Sequence, residues 1–96
     1  MVGGWVYIVA DKPLGTLYTG VTNDMARRAW EHRMGLGTGF AARYRCTHLM
    51  HMERHEDIET AIRREKRLKK WPRCWKLELI ETGNPLWEDL FERLND

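Results

Sequence analysis

The chain has 96 residues, 43% of them hydrophobic and 31% charged, with a net charge of +2. That is enough for one domain around one modest core, of the soluble globular class, and it excludes a disordered chain. No apolar run approaches the ~20 residues that a membrane span requires. No basic segment followed by an apolar one opens the chain, so cytoplasmic residence is the expectation. Cys46 and Cys74, two and far apart, are expected to be free thiols.

The first organised stretch runs from Trp5 to Gly20. Trp5 to Ala10 and Leu17 to Gly20 are rich in Val, Ile, Tyr and Thr, which favour strands. Asp11, Pro13 and Gly15 between them supply turn chemistry, so the pair reads as a β-hairpin. Tyr7 and Tyr18 fall on its two strands and meet if the register puts them on one face. Thr22 or Asn23 is the expected N-cap of a following helix, with Asp24 in its first turn. That helix is expected to reach Met34 and stop at Gly35. Ala26, Ala29, Trp30, Arg33 and Met34 recur at helical spacing, and the small and apolar members are the expected buried face. Arg28 and His32 lie four residues apart on its flank.

Residues 35 to 45 read as a loop containing Gly35, Gly37 and Gly39, anchored by Phe40 and Tyr44 and made basic by Arg43 and Arg45. Residues 46 to 53 read as a third strand, apolar on both faces as a central strand would be. Cys46, His48, His51 and His55 invite a zinc reading, but Cys46 and His48 would share a face that His51 does not, and the spacing fits no common zinc pattern. They read better as core and surface residues.

A second helix is expected from Glu56 to Lys70, with Ile58, Ala61, Ile62 and Leu68 as its apolar stripe. Glu65 falls inside that stripe, where a carboxylate is costly unless something positive meets it. Two readings stand: an ion pair with a nearby cation, or a metal ligand facing a cleft. Trp71-Pro72 breaks the helix, and Arg73 to Glu81 resumes, with Trp75, Leu79 and Ile80 on its packing side and Gly83 ending it. A last short helix is expected with Asn84 as N-cap and Pro85 at its first position, held by Leu86, Trp87, Leu90 and Phe91.

The charge is unevenly spread. Residues 63 to 76 hold Arg63, Arg64, Lys66, Arg67, Lys69, Lys70, Arg73 and Lys76 against one acid, Glu65, a net +7 that leaves −5 for the rest. A basic stripe on a nearly neutral chain points to a polyanion, nucleic acid above all, rather than to a solvated face of mixed sign.

With these residues in hand the chain resembles the GIY-YIG endonuclease domain over roughly Trp5 to Leu90. Trp5-Val6-Tyr7 and Tyr18-Thr19-Gly20 stand where that family has its two tyrosine motifs. Arg28 and His32 match its helix with an Arg and a His four residues on, with Arg27 as a rival to Arg28. Glu65 matches its metal-binding Glu, and Asn84 its late Asn. Trp-Val replaces Gly-Ile in the first motif and Thr replaces Ile in the second, and neither change touches a tyrosine or Gly20. The chain looks most like the short bacterial branch that consists of this domain alone.

The resemblance implies an α/β domain of the α+β type: a small three-stranded antiparallel sheet flanked by helices. The order read above, β-β-α-β-α-α with a short C-terminal helix, agrees with it. It also implies a metal-dependent DNA endonuclease with Tyr7, Tyr18, Arg28, His32, Glu65 and Asn84 as site residues, Glu65 holding Mg²⁺ or Mn²⁺, and a 5′-phosphate and a 3′-hydroxyl as products. Tyr7 is the expected base, Tyr18 orients phosphate, Arg28 neutralises it, and His32 relays a proton or holds a tyrosine. Arg27, Arg43, Arg63, Lys66, Arg67, Lys69, Lys70, Arg73 and Lys76 are the expected phosphate contacts. Phosphate contacts position without specifying, so sequence preference should be weak. An exposed Trp71 or Trp75 would slightly favour single-stranded or branched DNA. Repair, recombination or other DNA processing is the expected setting, as a monomer or weak dimer. The competing reading is a non-catalytic module binding DNA or RNA through the same basic helix.

Overall fold

The computed structural model describes residues 3–36 and 39–95; Gly37 of the expected glycine loop lies outside them. Its elements are β1 (Gly4–Ala10), β2 (Leu17–Thr22), α1 (Met25–Arg33), α2 (Gly39–Arg43), β3 (His48–His55), α3 (Ile58–Lys69), α4 (Arg73–Gly83) and a closing 3₁₀ segment, Leu90–Asn95. The sheet is antiparallel, in the order β2-β1-β3. This is the mixed α and β architecture, in the order that the sequence implied.

β1 is the central strand, and residues 6 to 10 are all fully buried. Side chains alternate across a strand, so β1 serves two layers. Tyr7 and Val9 face Met25 and Ala29 of α1, Ala41 of α2, Leu49 and Leu90. Val6 faces Ala61 and Leu68 of α3, while Ile8 and Ala10 face Met50, Ile80 of α4 and Trp87. A bulge between Ile8 and Val9 leaves Met50 without a cross-strand partner, so that Leu49 and Met52, three residues apart, both face the Tyr7 layer while Met50 faces the other. The apolar character of β3 therefore marks an edge strand with helices over both faces, not a central strand.

The hairpin closes as its turn residues require. Asp11 Oδ1 accepts the Thr16 N–H at 2.8 Å, and the Gly15 N–H donates to Lys12 O at 3.0 Å. Arg73 ties this loop to the start of α4 by donating to the carbonyls of Leu14 and Gly15.

Four local expectations are corrected. Asp24, rather than Thr22 or Asn23, caps α1 by accepting the Arg27 N–H; Thr22 supports it through the Asp24 N–H. The buried face of α1 is Met25, Ala29 and His32, while Ala26, Trp30, Arg33 and Met34 are exposed. The face has a histidine in it because its partner across the layer is the polar end of Tyr7. The loop after Gly35 contains a short helix, α2, whose Ala41 is buried. Asn84 starts no helix: a turn follows it, and the last helical residues begin at Leu90. Both cysteines are free, Cys46 buried and Cys74 exposed.

One buried side-chain atom, Thr19 Oγ1, has no hydrogen-bond partner among the described residues. Thr19 stands where the resembling motif carries Ile. An unpaired buried hydroxyl costs ~1–3 kcal/mol, so Thr19→Val should stabilise the fold by about that much. In a chain of this size that is ~4–8 °C per kcal/mol in a thermal melt. An unchanged or lowered melting temperature would mean that the hydroxyl is in fact satisfied.

Candidate active site

The site is built on the pairing of Tyr7 with Gly20, which face each other across β1 and β2. A Cβ added at Gly20 would run into the Tyr7 hydroxyl and its ring carbon. Glycine thus lets the phenol lie over the neighbouring strand and reach α1, where its Oη meets His32 Nε2 at 2.9 Å. Tyr18 is two residues from Gly20 on the same face. The His32 ring lies 5.4 Å from the Tyr7 ring and 5.9 Å from that of Tyr18, so the imidazole bridges the two phenols.

Burial sets the protonation states. Tyr7 is 0% exposed, and burial pushes its pKa up to about 12, with Arg28 beside it pulling the other way. His32 is buried as well; burial first, and then the charge of Arg28, hold its pKa below the usual histidine value. At neutral pH the pair is a neutral phenol against a neutral imidazole. In the tautomer protonated on Nδ1, Nε2 accepts the phenolic hydrogen.

Arg28, and not its rival Arg27, lies against Tyr7. Both arginines are tied to Glu31, Arg28 through Nε–Oε1 at 3.2 Å and Arg27 through Nε–Oε2 at 3.5 Å. Glu31 was not singled out in the sequence, although its i+3 and i+4 spacing to the two arginines is legible there.

Glu65 is buried on α3 at 8% exposure, and its Oε2 pairs with Lys69 Nζ at 2.7 Å. The same ammonium lies 5.7 Å from the centre of the Tyr18 ring. A continuous path therefore runs Arg28–Tyr7–His32–Tyr18–Lys69–Glu65. Asn84 is not on it. It is buried, donating from Nδ2 to the carbonyls of Met50 and Glu88 and accepting the Glu88 N–H on Oδ1. Those bonds pin the turn after α4 to β3.

The basic residues divide. Lys66 and Arg67 are exposed on α3 and Lys70 at its C-cap, and Arg63 is exposed beside Thr60. Arg43 lies over the Tyr44 ring. Arg73 is committed to the hairpin loop, and Lys69 to Glu65. Lys76 is half-buried, and burial, then Lys69 and Arg73, lower its pKa. Phe40 stacks on Tyr18 at 6.2 Å and packs on Tyr44 at 4.6 Å, leaving both outer rings more than two-fifths exposed. Trp75 is 53% exposed, edge-on to a half-buried Trp71.

A family profile described as the GIY-YIG catalytic domain matches residues 3–78. The chain belongs to the GIY-YIG family. That is a nuclease family, and the matched span holds both tyrosines, Arg28, His32 and Glu65 but ends before Asn84. UPF0213 proteins of Staphylococcus aureus strains Mu3, Mu50 and N315 are each 36% identical over 77 residues, covering 80% of this chain and 93% of theirs. No solved structure matches. Among the described residues no helix is long and apolar enough to cross a membrane.

A second charged cluster lies on the other face of the sheet. Glu53 accepts from Arg64 Nε at 2.7 Å and pairs with Nε2 of both His51 and His55 at 3.0 Å. Burial raises the Glu53 pKa, but bonds from His51, Arg64 and His55 outweigh it and hold the carboxyl at about 2. A depressed carboxylate adds stability that is present above its unfolded value, near 4.5, and lost as pH falls through about 2. Unfolding free energy should thus fall by roughly 2–3 kcal/mol over that window. Glu53→Gln should lower stability at pH 7 and flatten the acid limb. Denaturant titrations of both proteins between pH 2 and 7 check it, and parallel curves would remove the cluster from the account.

Proposed function

We propose that this protein is a metal-dependent endonuclease that hydrolyses DNA phosphodiester bonds with weak sequence preference, in repair, recombination or another DNA-processing step. The observation that carries the reading is the Tyr7–His32 hydrogen bond beside Arg28, on the same face as Tyr18 and linked through Lys69 to the buried Glu65.

Glu65 would hold the divalent cation. Among the described residues no three His, Cys, Asp or Glu side chains gather closely enough to form a metal cage. A lone carboxylate plus waters and substrate phosphate suits Mg²⁺, or Mn²⁺ in its place. When bound, the cation neutralises charge developing on the phosphate and the leaving oxygen.

The protein's own groups do the rest. Arg28 exchanges Glu31 and the Tyr7 hydroxyl for the non-bridging phosphate oxygens, which its forked guanidinium suits. That exchange also opens Tyr7 Oη, closed to solvent in the free protein, to the attacking water. Water gives its proton to Oη as the phenolic hydrogen passes to His32 Nε2, so no free phenolate forms despite a pKa of about 12. The hydroxide oxygen bonds to phosphorus and the P–O3′ bond breaks; the 3′-oxygen takes a proton from solvent, giving a 3′-hydroxyl and a 5′-phosphate, and His32 returns its proton to solvent. Tyr18, half-buried under Lys69, orients the phosphate. Asn84 enters as a positioning residue, holding the turn against β3. The exposed Phe40–Tyr44 pair next to Tyr18, with Trp75 further off, favours unpaired bases and so single-stranded or branched DNA.

Single-turnover cleavage of plasmid, single-stranded and branched DNA tests this. Cleavage should need Mg²⁺ or Mn²⁺ and stop with chelator. Glu65→Gln should abolish it while DNA binding persists. Tyr7→Phe should lose ~10²–10⁴-fold in rate with binding nearly unchanged, and Tyr18→Phe less, partly through binding. Because His32 must be neutral to accept, the rate should fall only below the usual histidine range near pH 6.5. Greater damage from Tyr18→Phe would exchange the two tyrosines' roles. DNA binding without cleavage under every condition would leave the non-catalytic module.

Affinity should rest on the exposed cations of α3 and its C-cap. Log affinity against log salt should be steeply negative, and Lys66, Arg67 and Lys70 changed together to Ala should reduce the slope by about one for each phosphate that is no longer neutralised. An unmoved slope would make the stripe a solvated face.

A further inference from the structure

Lys69 is spaced four residues from Glu65, and its ammonium is seated on that carboxylate at 2.7 Å. The two partners are unequally placed. The Glu65 side chain is 11% exposed, whereas that of Lys69 is 49% exposed and reaches toward the Tyr18 ring. A carboxylate so enclosed needs a cation at all times, and losing one leaves a buried charge unpaired. A divalent ion on Glu65 would meet an ammonium already in place, and two cations at one oxygen repel. One of them has to leave. Lys69 is the one that can, since its flexible stem lies in solvent, and the substrate phosphate beside Tyr18 offers it a second anion.

We propose that Lys69 is an exchangeable internal counter-ion: it neutralises Glu65 in the free protein and transfers to the DNA phosphate when the divalent cation arrives. This rests on the reading that Glu65 is the metal ligand. Its consequence is thermodynamic coupling. DNA draws Lys69 off Glu65 and so tightens cation binding, and the cation frees Lys69 and so tightens DNA binding by the same factor. Cleavage then waits for both, and the cation alone binds weakly.

The test is equilibrium Mn²⁺ binding, by calorimetry or by electron paramagnetic resonance of the free ion. It is run with and without a saturating single-stranded oligonucleotide, in a Tyr7→Phe background that keeps Glu65 and Lys69 while slowing turnover. The parent should bind Mn²⁺ ~5–150-fold more tightly with DNA present, the usual range of such coupling. Lys69→Met should bind Mn²⁺ about tenfold more tightly without DNA, and the oligonucleotide should then add less than about twofold. Lys69→Arg, which keeps the pair, should retain the coupling. Should Lys69→Met be too unstable to titrate alone, its melting temperature should rise more with Mn²⁺ than the parent's. Unchanged Mn²⁺ affinity and unchanged coupling in Lys69→Met would overturn the proposal. Glu65→Gln separates the two ways of failing. If it loses Mn²⁺ while Lys69→Met behaves like the parent, only the exchange is wrong. If it binds Mn²⁺ as the parent does, the ligand lies elsewhere and the reading of the site fails with it.

Discussion

The hydrogen bond from Tyr7 to His32 depends on a missing side chain. Tyr7 can cross to α1 only because Gly20 opposes it on β2. That bond puts a polar residue on the buried face of α1, between two tyrosine rings. It also fixes how α1 is rotated on the sheet, and with it which of two adjacent arginines meets the phenol. The arrangement is dry, so desolvation moves both partners toward their neutral forms. A neutral donor facing a neutral acceptor leaves no unpaired charge buried between the sheet and α1.

This constraint explains what could and could not be read from the residues. The hairpin was legible because strand formers flank Asp11, Pro13 and Gly15. Glu65 was legible as an anomaly because a carboxylate interrupted an apolar stripe, and it is indeed buried there. The rotation of α1 was not legible. A stripe of Ala26, Trp30 and Met34 is the more apolar choice, and it is wrong because α1 packs on the polar end of a tyrosine. The central strand was misassigned for a related reason. β3 is apolar on both faces, but helices cover both faces of the sheet, so an edge strand looks like an inner one. The Glu53–Arg64 pair depends on how α3 lies across β3, which no local spacing reveals.

Order along the chain placed Asn84 among the site residues, and both ends of its amide are bonded to backbone. The same bonds give it a reason to be Asn, since both a double donor and an acceptor are used. The family match ends at residue 78, before it. Its contribution to any chemistry would pass through the position of β3 and the closing turn.

The basic window likewise means less, and something more specific, than its net charge. Arg64 serves Glu53, Arg73 serves the hairpin loop, and Lys69 serves Glu65. Those three cations are thus held by the protein, while Lys66, Arg67 and Lys70 stay exposed. The held ones differ in kind. Arg73 donates to neutral carbonyls, and Arg64 sits in a network with Glu53, His51 and His55 that would lose several bonds at once. Among the described residues Lys69 has Glu65 as its single anionic partner, and its side chain is half-exposed. A salt bridge is easily exchanged when one member is mobile and the competing charges are supplied together. Arg28 and Glu31 repeat that pattern on the opposite side of the tyrosines, with a half-exposed arginine shared between a carboxylate and a phenol. The free protein therefore keeps both cations nearest the tyrosines occupied by its own acids, of which Glu65 is buried and Glu31 partly exposed. Under the proposed function, a phosphodiester entering between them would replace Glu31 for one and Glu65 for the other.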